Sequence, residues 1–330
     1  MINSIKQIMT NNNIDIFGIT NCVNFSFLKQ QFTFKLEKGF LAEFDSAPFE
    51  ERALLSKKYP NIKSIISIAI PYPHFREDVA NSISNFGYSI SEYACIADYH
   101  KVIHLKLSAV IKELQLLYPN FYFIPLTDSN PLFEKEIAKL CGTGVFGKNS
   151  LIYNKYYGSY MFLGEIVSDC KLPEFYADSI PDMLCEKCSK CINSCPNGAI
   201  EEPYMINAKK CISYCSSTKK SFAPELLRDN LWGCDICQSV CPVNKISTDF
   251  SIFSDIVLPF IPLEQIILSS NRELQELYSN FAIGWSGFSV LKRNALFILY
   301  NKNRELYFQL ADKLKQKKIE GVLKEAVNLK

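Results

Sequence analysis

Cys185, Cys188, Cys191 and Cys195 stand within the segment CEKCSKCINSCP, where Pro196 follows the last of them. Spacers of two, two and three residues ending in Cys-Pro are those of runs that hold cubane iron–sulfur clusters. Two-residue spacers let one tight loop aim three sulfurs at one cube, and the longer step into Cys-Pro carries the fourth sulfur to a neighbouring cube. Cys234, Cys237, Cys241 and Pro242 repeat the second half of this run. The crossover assigns Cys185, Cys188, Cys191 and Cys241 to one 4Fe-4S cluster, and Cys195, Cys234 and Cys237 to a second. Its fourth thiolate comes from KKCISYC, with Cys211 the better placed and Cys215 the competitor. Zinc sites ordinarily show two C-x2-C pairs separated by a longer spacer, which this pattern does not match. Two such clusters pass electrons one at a time.

Other segments offer weaker chemistry. GTGVFGKN, residues 142–149, satisfies G-x4-G-K but places Asn149 where a phosphate-binding loop needs a Ser or Thr hydroxyl for magnesium. It also follows a helical stretch, so a glycine-rich turn admitting close approach of a ligand or another backbone is the expectation. In DYHKVI, His100 and His104 share a helix face without an evident carboxylate pair, and read as solvated or capping side chains. In TDSNPLFEKEIAKL, Pro131 suits a first helical position and Asn130 the cap, which leaves Asp128 without that duty. Asp128 is therefore a candidate carboxyl group, kept protonated by burial and able to donate a proton.

These residues need elements to position them. The first 170 residues read as mixed α and β. Short β-rich runs (DIFGIT, SIISIAI, FYFIPL) alternate with helical segments, clearest in DYHKVIHLKLSAVIKELQLL. There Ile103, Leu107, Val110, Ile111, Leu114 and Leu117 recur every three or four residues and predict one buried stripe. Residues 171–249 turn cysteine- and proline-rich, a small domain with an inorganic core. Beyond 260, RNALFILYNKNRELYFQLADKLKQ predicts two amphipathic helices of the kind found in α-solenoid repeats, which must pack on what precedes them. The fold class is α+β, with domains at 1–170, 171–249 and 250–330.

The chain has 330 residues, 48% of them hydrophobic, enough for two or three domains with a sizeable core. Its formal net charge of +2 excludes a strongly basic nucleic-acid binder, so any nucleic-acid surface must be local. Residues 292–330 supply one, with ten Lys and Arg against four Asp and Glu, including KLKQKK. The amino terminus shows no secretory h-region and no stretch suits a membrane span, so the cytoplasm is the expected compartment. There, thirteen cysteines argue for metal ligation or redox chemistry over disulfides. Cys22, Cys95, Cys141 and Cys170, scattered among apolar neighbours, are expected to be packed thiols.

Several separated stretches together resemble the epoxyqueuosine reductase family, the cobalamin and iron–sulfur enzymes that complete queuosine in tRNA. They are SIISIAIPYP, DYHKVI, TDSNPLFEKEIAKLCGTGVFGKNSLI, YGSYMFLGEI, CEKCSKCINSCPNGAI through AKKCISY, and LWGCDICQSVCPVN followed by GWSGFSVLKRNAL. The resemblance implies a cobalamin-binding α/β domain related to nitroreductases and reductive dehalogenases, a ferredoxin-like two-cluster domain and HEAT-like helices. It implies Cys211 as the missing cluster ligand and Asp128 as the proton donor. By motif position Arg52, Asp128, Ile152, Leu163, Ser213 and Asp235 look like cobalamin contacts, and Lys219 like a tRNA contact. DSNP departs from the family's more usual Ala or Gly after the second residue, and the helical tail is short.

The implied reaction removes the epoxide oxygen of a tRNA anticodon-loop base, and no side chain supplies its low-potential electrons, so cofactors must. An external low-potential electron donor, a tRNA carrying epoxyqueuosine, no membrane and a monomeric chain complete the expectation. A cobalamin-dependent, dehalogenase-like reductase of a small molecule is the alternative enzyme. A non-catalytic two-cluster electron carrier is a third reading, which leaves the N-terminal domain without a purpose.

Overall fold

A computed structural model describes residues 2–43, 47–74, 80, 85–128, 130–181, 185–245, 253, 256, 258–316 and 321–329. The amino-terminal part runs α1 (Ile2–Asn11), β1 (Ile16–Thr20), α2 (Lys29–Glu37), α3 (Phe49–Ala53), β2 (Ser64–Pro71), β3 (Ser89–Ile90), α4 (Tyr99–Leu117), β4 (Phe123–Leu126), α5 (Glu134–Cys141), β5 (Val145–Phe146), β6 (Ile152–Tyr153) and β7 (Met161–Ser168). Four strands form an antiparallel sheet in the order β1-β2-β7-β4. All eight residues of β2 are buried, which a β-branched run without polar alternation requires of a strand covered on both faces.

Helix α4 covers one face. Ile103, Leu107, Val110, Ile111 and Leu114 join Ile66, Ile68, Ile70 and Ile166 in one core, as the periodicity predicts. Leu117 does not: it sits in the last turn, 47% exposed, where the helix has run past the sheet. The helix approaches β7 so closely that a Cβ on Gly164 would lie 2.8 Å from Ile103 Cγ2. Helix α5 covers the other face, where Ile137 and Cys141 pack with Ile65 and Val167. Its approach to β1 would put a Cβ of Gly18 on the Cys141 carbonyl. Such contacts close only over glycine.

The cysteine-rich part contains α6 (Lys190–Ser194), β8 (Ile200–Glu202), β9 (Met205–Ile206), α7 (Ile212–Ser217), β10 (Asn230–Trp232) and α8 (Ile236–Ser239). Strand β10 pairs in parallel with β3 and so joins this part to the amino-terminal one. The tail comprises α9 (Leu263–Leu268), α10 (Asn271–Tyr278), α11 (Phe288–Lys302), α12 (Arg304–Lys315) and α13 (Val322–Ala326). Its core includes Tyr88, Ile90, Leu231 and Trp232, so the helices pack on the β3/β10 junction.

Only one of the two tail helices is amphipathic as expected. In α12 the buried positions are Tyr307, Leu310, Ala311 and Leu314, one stripe. In α11 every residue from Val290 to Leu299 is buried, because other elements enclose it on all sides. Arg293 and Asn294 are buried with it and serve as anchors. The Arg293 guanidinium donates to Thr218 O at 2.7 Å and Cys215 O at 2.9 Å, and Asn294 Nδ2 donates to Ser216 O at 2.7 Å and Leu231 O at 2.9 Å. These bonds hold α7, the helix that follows Cys211, against the tail.

Candidate functional site

The cysteines fall into two neighbouring groups. Cys185, Cys188, Cys191 and Cys241 line one pocket together with Gly147, Lys148 and Asn149. Cys195 and Cys234 lie in electrostatic contact with Cys211, as does Cys237. Cys215 faces Cys211 and Arg293, and its thiol donates to Lys209 O at 3.6 Å. Burial, then the neighbouring sulfurs, raises Cys191, Cys211, Cys234, Cys237 and Cys241, with Cys234 pushed up to about 12, so metal loading must displace protons. Among the described residues no three His, Cys, Asp or Glu side chains close in on a single ion. Four sulfurs around an open pocket fit the corners of a cube.

The glycine-rich turn is a hairpin between β5 and β6, with no phosphate-binding helix after it. It lies between the two cysteine groups. Lys148 N donates to Cys185 Sγ at 3.3 Å, and the Asn149 side chain hydrogen-bonds Cys237. Lys148 Nζ ties down the Cys185–Cys188 loop through the carbonyls of Glu186 at 2.8 Å and Cys188 at 2.9 Å. A lysine that would clamp a phosphate in a Walker loop is here spent on cluster-loop carbonyls. Ala199 N donates to Cys195 Sγ at 3.2 Å, a second N–H to sulfur bond of the kind that tunes cluster potential.

Asp128 differs from expectation. It sits at φ 55° in the left-handed region beyond β4, its side chain 60% exposed. Tyr99 donates its hydroxyl to Asp128 Oδ2 at 2.6 Å, and His100 Nε2 lies 3.4 Å from the same oxygen. Asp98, the cap of α4, receives the His100 amide at 3.1 Å and stands 2.9 Å from Nδ1. Both imidazole nitrogens therefore face carboxylates, which only the doubly protonated ring satisfies. Burial opposes that charge, but the bonds to Asp128 and Asp98 prevail and raise His100 to about 9. The His100 hydrogen bond in turn holds Asp128 below the usual carboxylate range, against its partial desolvation. A neutral, elevated Asp128 is thus corrected: the proton of this pair rests on the imidazole. His104, one turn on, is exposed, so the two histidines do not act together.

The loop after Asp128 also departs from the sequence reading. Helix α5 begins at Glu134 without a side-chain cap. Asn130 instead turns the backbone, accepting from Leu132 N at 2.8 Å and donating to Glu134 Oε1 at 2.7 Å. That Glu134 oxygen also receives Asp128 N at 2.8 Å. Beneath it Glu165, on the central strand β7, is fully buried.

The other predicted contacts stand on separate elements. Arg52 at the end of α3 donates to the carbonyls of Pro131 at 3.3 Å and Leu132 at 3.4 Å and lies over the Phe133 ring. Ile152 and Leu163 share one apolar cluster with Phe146 and Met161. Ser213 lies in α7 beyond Cys211, its carbonyl accepting from Ser216 and Ser217. The Asp235 carboxyl accepts from the Ser91 hydroxyl, and from Glu92 N at 2.7 Å, which ties the second cysteine run to the β3 end. Thr127 Oγ1 and Ser150 Oγ are buried without a hydrogen-bond partner among the described residues.

Lys219 is exposed at the end of α7. The basic tail is less available than its composition implies. Lys292 and Arg293 are buried, Lys302 pairs with Asp229 at 2.9 Å, and Lys315 pairs with Asp312 at 3.2 Å. Lys317 and Lys318 lie outside the described residues.

Sequence reasoning missed Tyr99, His100, Lys148, Glu134 and Glu165. Asp98 two positions before His100 was a usable signal, as was a lone glutamate inside the apolar run MFLGEIVS.

Comparisons with known proteins identify what this chain is similar to. The family model described as "Epoxyqueuosine reductase QueG, DUF1730" matches residues 52–129, and that of a 4Fe-4S double cluster binding domain matches residues 184–244. The epoxyqueuosine reductase of Lactococcus garvieae is 30% identical over 312 residues, covering 91% of this chain and 86% of the relative. That of Bacillus subtilis is 31% identical over 297 residues, covering 87% and 75%. The structure is similar to a selenomethionine-labelled epoxyqueuosine reductase, with TM-score 0.87 and 27% identity over 98% of this chain and 88% of the other. An epoxyqueuosine reductase solved with a tRNA-Tyr epoxyqueuosine-modified stem loop matches at TM-score 0.86 and 26% identity, with the same coverage.

Proposed function

The chain belongs to the epoxyqueuosine reductase family, and we propose that it reduces the epoxide of epoxyqueuosine in a tRNA anticodon loop to the alkene of queuosine. The observation that carries this reading is the position of the Gly147–Lys148–Asn149 turn. It touches one cysteine group through Lys148 and the other through Asn149, and its return strand carries Ile152, which we assign to a cobalamin cleft beside Asp128.

Cys185, Cys188, Cys191 and Cys241 hold one 4Fe-4S cluster, and Cys195, Cys211, Cys234 and Cys237 the other. Cobalamin fits the cleft: Ile152 and Leu163 offer an apolar wall, and the unpartnered hydroxyls of Thr127 and Ser150 can bond the amide arms of a corrin. Arg52, Ser213 and Asp235 complete the proposed contacts. When bound, the clusters relay single electrons and cobalamin brings the low-potential reductant to the epoxide carbons.

The side chains manage protons. Tyr99 and His100 fix Asp128 at the mouth of the cleft, and the imidazolium supplies the proton that the departing oxygen takes through Asp128. Lys219, exposed beside the second cysteine group, contacts the tRNA backbone. A splayed anticodon base must enter the cleft for its ring to reach these groups. The chain works as a monomer in the cytoplasm with an external low-potential electron donor.

The test is anaerobic reconstitution with iron, sulfide and cobalamin, then reduction and incubation with an epoxyqueuosine stem loop. Mass analysis of the nucleosides is expected to show loss of one oxygen. An unchanged nucleoside, with clusters and cobalamin demonstrably loaded, rejects the assignment.

A further inference from the structure

Glu165 is 0% exposed at the middle of β7, and neither of its carboxyl oxygens is engaged by a donor of good geometry. In register it stands opposite Ser67 on β2 and Leu126 on β4. An ionised carboxylate there would be an unpaired charge inside the sheet's core, a state proteins avoid by keeping the group neutral. The side chains within hydrogen-bonding reach are the Ser67 hydroxyl, which favours the charged form, and another carboxyl group, that of Glu134, which opposes it more strongly. Two carboxylates cannot bond each other, but two carboxyl groups sharing one proton can.

Glu134 faces both ways. Its Oε1 receives the Asp128 backbone amide at 2.8 Å and Asn130 Nδ2 at 2.7 Å, and the Asp128 carboxylate is near enough to repel its charge, so the pair begins beside the candidate proton donor. The charged and titratable groups facing it are Asp128 from the β4–α5 loop, with Tyr99, His100 and Lys135 around it, and the Cys141 thiol from the far end of α5. Burial, then the Asp128 charge, pushes Glu134 up to about 7, and burial, then Glu134, pushes Glu165 well above its ordinary value.

Epoxide plus two electrons plus two protons gives alkene plus water. Both carbon–oxygen bonds break, the electrons come from a one-electron iron–sulfur or flavin donor, and the oxygen leaves carrying both protons. The His100–Asp128 pair holds one of them. We infer that the Glu134–Glu165 pair is the store of the second proton, which Glu134 passes to the Asp128 carboxylate once the first has been spent. The inference rests on the epoxide-reductase reading above.

The test compares wild type with Glu165→Gln and Glu134→Gln by infrared difference spectroscopy and by turnover. Wild type is expected to show the carbonyl band of a protonated carboxylic acid near neutral pH, shifted in D2O, absent from Glu165→Gln and displaced in Glu134→Gln, where the shared proton has lost one partner. For the epoxyqueuosine stem loop, kcat is expected to fall about tenfold or more, with KM unchanged and the double variant no slower than either single one. Should Glu165→Gln lose its clusters, Glu134→Gln, nearer the cleft, carries the comparison. The inference is overturned if wild type lacks the band, or if a cluster-loaded variant turns over at the wild-type rate. Wild type showing the band yet leaving the epoxide intact overturns the epoxide-reductase reading, and the second-proton role with it.

Discussion

Tyr99 and Asp128 stand 29 positions apart and meet through a 2.6 Å hydrogen bond, with His100 against the same carboxylate oxygen. Asp128→Asn removes the acceptor while preserving shape. Turnover is expected to fall about a hundredfold or more, with iron content and cobalamin absorption unchanged. NMR titration of His100 is expected to give a lower pKa than the wild type's value of about 9, because one of the two carboxylates that raise it is gone.

The pH dependence follows from the same pair. His100 is charged up to about pH 9, so the proton-bearing form persists through neutrality and kcat is expected to fall as pH rises through about 9. The sign for stability is the same. A raised histidine pKa contributes stability fully below 6.5 that is lost by about 9. Glu134, raised to about 7, loses its contribution between 4.5 and 7. Denaturation midpoints measured from pH 5 to 9 are expected to decline, and to decline less steeply in Asp128→Asn.

Lys148 fastens the loop between Cys185 and Cys188 by two carbonyls. Lys148→Met removes both bonds and leaves the cysteines in place. Chelator-induced bleaching of one cluster is expected to accelerate while the other persists, read by iron release and by electron paramagnetic resonance after reduction. No nucleotide affinity is expected in the wild type.

Cys211 and Cys215 separate by the same kind of assay. Cys211→Ala is expected to lower iron per chain by about half, the loss of one of two cubes. Cys215→Ala, which touches Cys211 and Arg293 outside the sulfur group, is expected to retain full iron content.

Arg293 is buried and bonds to the carbonyls of Cys215 and Thr218 and to Asn294 Oδ1. Arg293→Met leaves those acceptors without a donor. It is expected to cost about 3 kcal/mol in denaturant unfolding of the loaded protein and to loosen the second cluster through α7.

What was legible in the sequence was local. The spacers around Cys185–Cys195 and Cys234–Cys241 are set by the reach of one loop, and the apolar period of α4 by the pitch of one helix, so each can be read from neighbours. Leu117 satisfied that period and still lies in solvent, because where the sheet ends is not a property of the helix. Asp128 was recognisable as a carboxylate without a capping duty, but its ionisation depends on His100, which arrives from another element. Glu165 drew no reading from the sequence, because its partner Glu134 is brought to it from α5 by the fold. The basic composition of 292–330 misled because Lys292 and Arg293 are buried, the Arg293 guanidinium donating to the carbonyls of Thr218 and Cys215.

The most direct measurement is a single turnover. The reconstituted chain, reduced and freed of excess reductant, is mixed with epoxyqueuosine stem loop and frozen at intervals, and cluster oxidation and nucleoside mass are read on the same samples. The structure predicts alkene formation in step with the loss of two electrons per molecule of product. Clusters that stay reduced while the alkene forms, or that oxidise while the epoxide stays intact, would contradict it.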